Sequence, residues 1–239
     1  MASKVCEYKS EQFTISYELI NPECEQSILI LHGWGSNKEI MKQAFGKAFT
    51  EYKHIYVDMP GFGKSNNNMV LTTEDYAEIM RLFLDQLGVE PEIAMGHSFG
   101  GKVATLLCSA CLALLSSAGI VTEKPWSIKA KIATFKLLKP LGIKKIRSLF
   151  VAPDAKDMSH EMYETFKNVV DENFESSFAK CKSKALLFWG TEDTATPLYT
   201  GKKIAELIED SQFYPLDGDH FFFLKHAKFI EKTILEQCR

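Results

Sequence analysis

The hexapeptide Gly96-His97-Ser98-Phe99-Gly100-Gly101 stands directly after the apolar run Ile93–Met95 and directly before the helical run Lys102–Leu107. A serine held between glycines at a strand's end can occupy a strained turn, because small neighbours let strand and helix backbones pack tightly while the hydroxyl projects over the sheet edge. The pattern asks for a strand-turn-helix unit in a parallel sheet. Such a sheet is legible in the rest of the chain. Gln12–Ile20 alternates like a half-exposed strand near a sheet edge. Compact apolar runs follow at Ser27–His32, His54–Asp58, Glu92–Gly96, Cys111–Ser116 and Ala185–Trp189, with a weaker one at Gln212–Leu216. Each is bounded by Gly, Pro, Asp or Ser, as strands buried on both faces are. The clearest helix between them is Thr73–Leu87, where Tyr76, Ile79, Met80, Phe83 and Leu87 share one face. Thr72 and Asp75 resemble a capping-box start, and Gly88 is a stop. This alternation predicts an α/β fold.

An apolar share of 46% over 239 residues suffices for one core, so residues 1–239 are read as a single domain. The stretch Val103–Thr122 has no charge over 20 positions, yet Ser109, Ser116, Ser117 and Gly119 interrupt it. It reads as a buried helix leading into a buried strand, not a membrane span. Met1–Ser10 lacks the apolar stretch of a secretory signal, and six irregularly spaced cysteines form no disulfide framework. Both features favour a cytoplasmic location.

The net charge of −3 excludes a general polyanion binder, so no nucleic-acid partner is expected. Its distribution is uneven. Lys124–Pro153 holds eight basic residues and no acid, interleaved with Trp126, Phe135 and Phe150, whereas Asp154–Glu175 holds seven acids and two lysines. This composition predicts a helical insertion between strands.

A free serine hydroxyl is a poor nucleophile near neutral pH, so an elbow serine needs a base and a group that orients the base. Asp193, in the loop Gly190–Pro197 after one apolar run, and His220, after the last, follow Ser98 in the order associated with this elbow. Glu192 competes with Asp193, His226 reads as a surface residue, and His97 is expected to pack beneath the elbow. Backbone N–H groups of Trp34, in His32-Gly33-Trp34-Gly35, and of Phe99 are the candidate oxyanion donors. Gly63-Lys64-Ser65 imitates the end of a phosphate-binding loop, but Asp58 occupies the position of the required first glycine. Cys108 and Cys111 have C-x-x-C spacing without a second pair, and both are read as buried thiols.

With these motifs in order, from the HGWG turn through Asp58–Ser65, the GHSFGG elbow, GTEDTATP and GDHFFFL, the chain resembles the α/β-hydrolase fold family from about Ser27 to Lys232. The resemblance implies an eight-stranded, mostly parallel sheet, a helical lid at residues 120–180, and no metal or organic cofactor. It also implies that Ser98 is the nucleophile, His220 the acid and base, and Asp193 its orienter, with Trp34 and Phe99 as oxyanion donors. The connection Leu107–Cys111 is shorter than is usual in this family.

A serine at position 98 argues against branches that use an aspartate nucleophile. Two serine branches remain: carboxylesterases acting on acyl methyl esters, and meta-cleavage-product hydrolases that split a C–C bond in ring-fission dienoates. Trp34 and Phe221 favour the ester branch. Trp126 and Phe221 are the candidate substrate-binding side chains. The basic stretch suits an anionic substrate or an acidic carrier protein. A catalytically silent ligand-binding protein on the same fold is the third reading.

Overall fold

The computed structural model describes residues 2–122 and 158–238. Eight strands form one sheet in the order β1-β2-β4-β3-β5-β6-β7-β8. They are β1 (Ala2–Tyr8), β2 (Glu11–Ile20), β3 (Ser27–Leu31), β4 (Lys53–Val57), β5 (Ile93–His97), β6 (Cys111–Leu115), β7 (Lys184–Gly190) and β8 (Ser211–Leu216). The pairs β1/β2 and β2/β4 are antiparallel and the other five are parallel. The described helices are α1 (Lys38–Phe45), α2 (Thr73–Leu87), α3 (Phe99–Leu107), α4 (His160–Val170), α5 (Glu175–Lys180), α6 (Leu198–Leu207) and α7 (Phe223–Gln237).

The central strands read as unbroken apolar runs because both faces are covered. Side chains alternate across a strand. Thus Leu29, Leu31, Leu112, Leu114, Leu187 and Trp189 enter the core beneath α2, α3 and α6, while Ile28, Ile30, Ala113, Leu115, Leu186 and Phe188 enter the core with α1 and α7. Helix α2 has the expected bounds. Thr72 and Asp75 close a reciprocal capping box, and Gly88 ends the helix at φ 65°. The short connection after α3 also stands, since Cys108 turns in the left-handed region at φ 56° and β6 begins at Cys111.

Two local readings change, and one strand is new. The N-terminal segment is an edge strand, β1, in which only Cys6 is buried, so its apolar signal is one residue deep. Cys108 is exposed, not buried. Cys111 is not a free thiol: it is bonded to Cys238, 127 positions away, with a Cα–Cα separation of 5.8 Å. Helix α7 packs beneath β7 and brings its C-terminal end to the start of β6, a juxtaposition that cysteine spacing alone does not encode. Among the described residues, no helix is long and apolar enough to cross a membrane.

Strands β3, β4, β5, β6, β7 and β8 run parallel, so their C-terminal ends and the loops that follow gather at one edge of the sheet. At the end of β4, Lys38 and Asp58 form a buried ion pair at 2.5 Å, with side chains 2% and 1% exposed. Asp58 also accepts from the backbone N–H groups of Lys38 at 2.9 Å and Lys64 at 3.1 Å. Burial raises the Asp58 carboxyl, but these bonds and the Lys38 charge outweigh it and hold it below the usual range. Asp58→Ala removes the close counter-charge of a buried cation, leaving it Ser16 Oγ at 3.2 Å and Glu39 at 3.9 Å, and is expected to cost about 3–5 kcal/mol of stability, much of it recovered when Lys38→Met is added. Urea unfolding measures both, and a loss under about 1 kcal/mol for Asp58→Ala would contradict the pair's role.

Candidate active site

Ser98 caps the N-terminus of α3 with φ 51° and ψ −115°, a conformation that costs a non-glycine residue on the order of 1–3 kcal/mol. The flanking glycines make it possible. A methyl group at Gly96 would overlap the Gly100 carbonyl, and one at Gly100 would lie 2.5 Å from the His32 carbonyl oxygen. Strand β5, helix α3 and the end of β3 therefore touch backbone to backbone. The turn is held from behind by Ser98 N–H donating to Leu115 O at 3.0 Å and Ala118 N–H donating to Ser98 O at 3.1 Å.

Asp193 and His220 are brought together across two loops: His220 Nδ1 lies 2.7 Å from Asp193 Oδ2. A carboxylate only accepts, so Nδ1 carries the proton and Nε2 presents its lone pair. Asp193 is fully buried at its side chain and His220 18% exposed. The Asp193 carboxylate also accepts from Ala195 N–H at 2.8 Å, Thr196 N–H at 2.9 Å and Thr196 Oγ1–H at 2.9 Å. Burial alone raises its pKa, but the His220 hydrogen bond and charge, with the Thr196 N–H, outweigh this and bring it down to about 2. Glu192 is exposed and outside this network. His226 is half-buried and bonds the Asp217 carbonyl at 2.7 Å.

Trp34 occupies a turn in which Ser36 N–H donates to Gly33 O at 3.3 Å and Gly35 takes φ 71°. His32 anchors this turn. Its Nδ1 bonds the Gly33 carbonyl at 2.7 Å, and its Nε2 accepts from Met59 N–H at 3.1 Å. Burial pushes its pKa down to about 4, so the ring is neutral and can accept at Nε2. The Trp34 indole packs on Phe62 at 4.8 Å, Phe166 at 5.4 Å and Phe99 at 5.5 Å. Phe99 is the first residue of α3, where a backbone N–H has no acceptor within the helix. Phe221 lies beside His220 with ring centroids 5.6 Å apart and is 41% exposed. Trp126 lies outside the described residues.

Several polar residues around the site were not singled out from sequence. Thr196 reads as loop filler, yet it contacts the acid through both N–H and hydroxyl. Lys102, named from sequence only as the start of a helical run, has a buried ammonium that donates to Val169 O at 2.7 Å and Glu172 Oε2 at 2.6 Å. The helical insertion between β6 and β7 is described from residue 158 onward, as α4 and α5.

The topology, the elbow and the ordered loops define the α/β-hydrolase fold. A family model described as alpha/beta hydrolase fold matches residues 26–139, and the chain belongs to this fold. Over 96 residues it is 33% identical to a 2-succinyl-6-hydroxy-2,4-cyclohexadiene-1-carboxylate synthase from Escherichia coli O157:H7, covering 40% of this chain and 37% of that protein. Over 98 residues it is 32% identical to a pimeloyl-[acyl-carrier protein] methyl ester esterase from Sodalis glossinidius, covering 41% of this chain and 36% of the relative. The chain thus spans little more than a third of the length of these relatives. An esterase from Exiguobacterium antarcticum superposes with a TM-score of 0.77 at 20% identity, over 99% of both chains.

Asp193 contributes stability that is fully present above its ordinary value of 3.8 and is lost as pH falls toward about 2. The wild-type protein is expected to lose on the order of 2 kcal/mol more than Asp193→Ala over that acid range. Urea midpoints at pH 5, 4, 3 and about 2 measure the difference, and parallel curves would refute it.

Proposed function

We propose that the chain is a serine hydrolase that cleaves a small carboxylic or acyl ester. The supporting observation is the Asp193–His220 pair at 2.7 Å, adjoining an elbow in which Ser98 holds a strained backbone conformation. In this reading His220 Nε2 accepts the Ser98 proton as Oγ adds to the acyl carbon. The oxyanion is met by the N–H groups of Trp34 and Phe99, and the positive end of α3 adds to their effect. His220 returns the proton to the departing alkoxide, giving an acyl-enzyme. Water activated by the same imidazole then adds to the acyl carbon, and Ser98 leaves as its hydroxyl re-forms. Asp193 holds the imidazole tautomer and stabilises the imidazolium throughout.

Carboxylic ester chemistry is preferred because a relative bears the name of an acyl methyl ester esterase. Acyl groups on an acidic carrier protein fit the same proposal, given the basic run Lys124–Pro153. The run belongs to the proposed lid, residues 120–180. Phe221, at the rim beside His220, is the proposed contact for the substrate.

A fluorophosphonate probe is expected to label Ser98 in the folded protein. Ser98→Ala is expected to abolish labelling and to lower turnover of short p-nitrophenyl esters at least about 10⁴-fold. Turnover of a ring-fission dienoate without ester turnover would replace ester cleavage by C–C cleavage. Absence of both, with binding indifferent to Ser98→Ala, would leave a silent ligand-binding protein.

A further inference from the structure

His97 precedes the elbow serine and is buried, with no part in the triad chemistry proposed above. Its Nε2 lies 3.0 Å from the carbonyl oxygen of His220, 123 positions away in sequence. A carbonyl only accepts, so Nε2 carries the proton and Nδ1 is a bare acceptor. That Nδ1 is buried and has no hydrogen-bond partner among the described residues. It packs against the oxyanion turn. A methyl group at Gly33 would lie 2.9 Å from His97 Nδ1, 3.3 Å from Cε1 and 3.2 Å from Ser98 Cβ. The ring is also wedged against His220 at 4.5 Å, Phe223 at 4.8 Å and Phe221 at 5.4 Å.

An apolar side chain of similar volume could fill this space without burying an unpaired acceptor. What the imidazole adds is the Nε2–H bond to the base loop. We infer that His97 is a positioning residue: it ties the His220 backbone and the Gly33 turn to the strand that leads into Ser98, so that base, oxyanion donors and nucleophile keep one geometry. The inference rests on the serine-hydrolase reading above. Burial, with the neighbouring His220 charge, brings the His97 pKa down to about 3, so the ring stays neutral when His220 takes a proton beside it.

The test uses the full chain, a p-nitrophenyl butyrate assay and the fluorophosphonate probe. His97→Leu removes the donor, whereas His97→Gln keeps an N–H near the position of Nε2. His97→Leu is expected to lower kcat about 30-fold with KM changed less than about 3-fold, since a small misplacement of reacting groups suffices for such a loss. His97→Gln is expected to recover to within about 5-fold of wild type. Equal losses in the two variants, or wild-type kcat in His97→Leu, would overturn the role. Should His97→Leu not fold, Gly33→Ala decides: it is expected to lower kcat in the wild-type background and by less with His97→Ser, and equal losses in both backgrounds overturn the role. A wild-type protein that leaves Ser98 unlabelled defeats the hydrolase reading and this role with it. A labelled wild type with His97→Leu labelled at the same rate defeats the positioning role alone.

Discussion

Backbone-to-backbone contact at the elbow is the constraint on which the rest of the site depends. Helix α3 meets β5 and the end of β3 at distances that exclude even a methyl group at Gly96 or Gly100. That contact sets the direction of α3, puts the Phe99 N–H at the free end of the helix and forces Ser98 into a left-handed conformation. The strain of that conformation is offset by the surrounding core, which is buried on both faces of the sheet. A larger residue at either glycine would not adjust locally, because the opposing atoms are carbonyls of paired strands or of the first helical turn.

Around this contact, the loops at the C-terminal edge of the sheet are joined by buried polar bonds as well as by aromatic packing. His32 links the HGWG turn to Met59, and Asp58 links the next residues to Lys38 on α1. Asp193 gathers its own loop through Ala195 and Thr196 before it reaches His220. Loops of this kind cannot be fixed by apolar burial alone, since their backbone groups need partners wherever water is excluded. Each histidine that does this work is held neutral by burial, at about 4 for His32 and about 3 for His97. A neutral imidazole offers one donor and one acceptor. His32 uses both to join two loops, whereas His97 uses only its donor.

Legibility in the sequence followed from how local each signal is. The central strands announce themselves because burial on both faces makes every residue apolar, as in Ile28–Leu31 and Ala185–Trp189. Helix α2 was legible to the residue because its cap, its apolar face and its stop are all written within sixteen positions of one another. Strand β1 was not, because an edge strand with one buried side chain carries almost no pattern. Asp193 and His220, whose side chains the fold pairs, could be read from motifs that each follow a strand. Their supports could not: Lys102 sits in a glycine-rich helix, and only the fold brings Glu172 to it. The Cys111–Cys238 bond is non-local in the same way.

The Lys102–Glu172 pair carries the argument from the elbow to the insertion. Lys102 lies on α3, four residues after Ser98, while Val169 and Glu172 lie at and just beyond the end of α4. Glu172 also accepts from Thr73 Oγ1 at 2.5 Å, so one carboxylate joins α2, α3 and the segment after α4. Burial lowers the Lys102 pKa and Glu172 raises it, leaving a net decrease for an ammonium 1% exposed beside a carboxylate 20% exposed. Removing the carboxylate would leave the buried ammonium without its counter-charge, which costs more than a surface bridge is worth. The C-terminal part of the insertion is therefore joined to α3 by a charge pair as well as by the apolar core that Val169, Phe174 and Phe178 share with Val103 and Ala104. Helix α4 thus touches the site edge at two places, through Phe166 on Trp34 and through the Val169 carbonyl that accepts from Lys102, on the helix whose first residue follows Ser98.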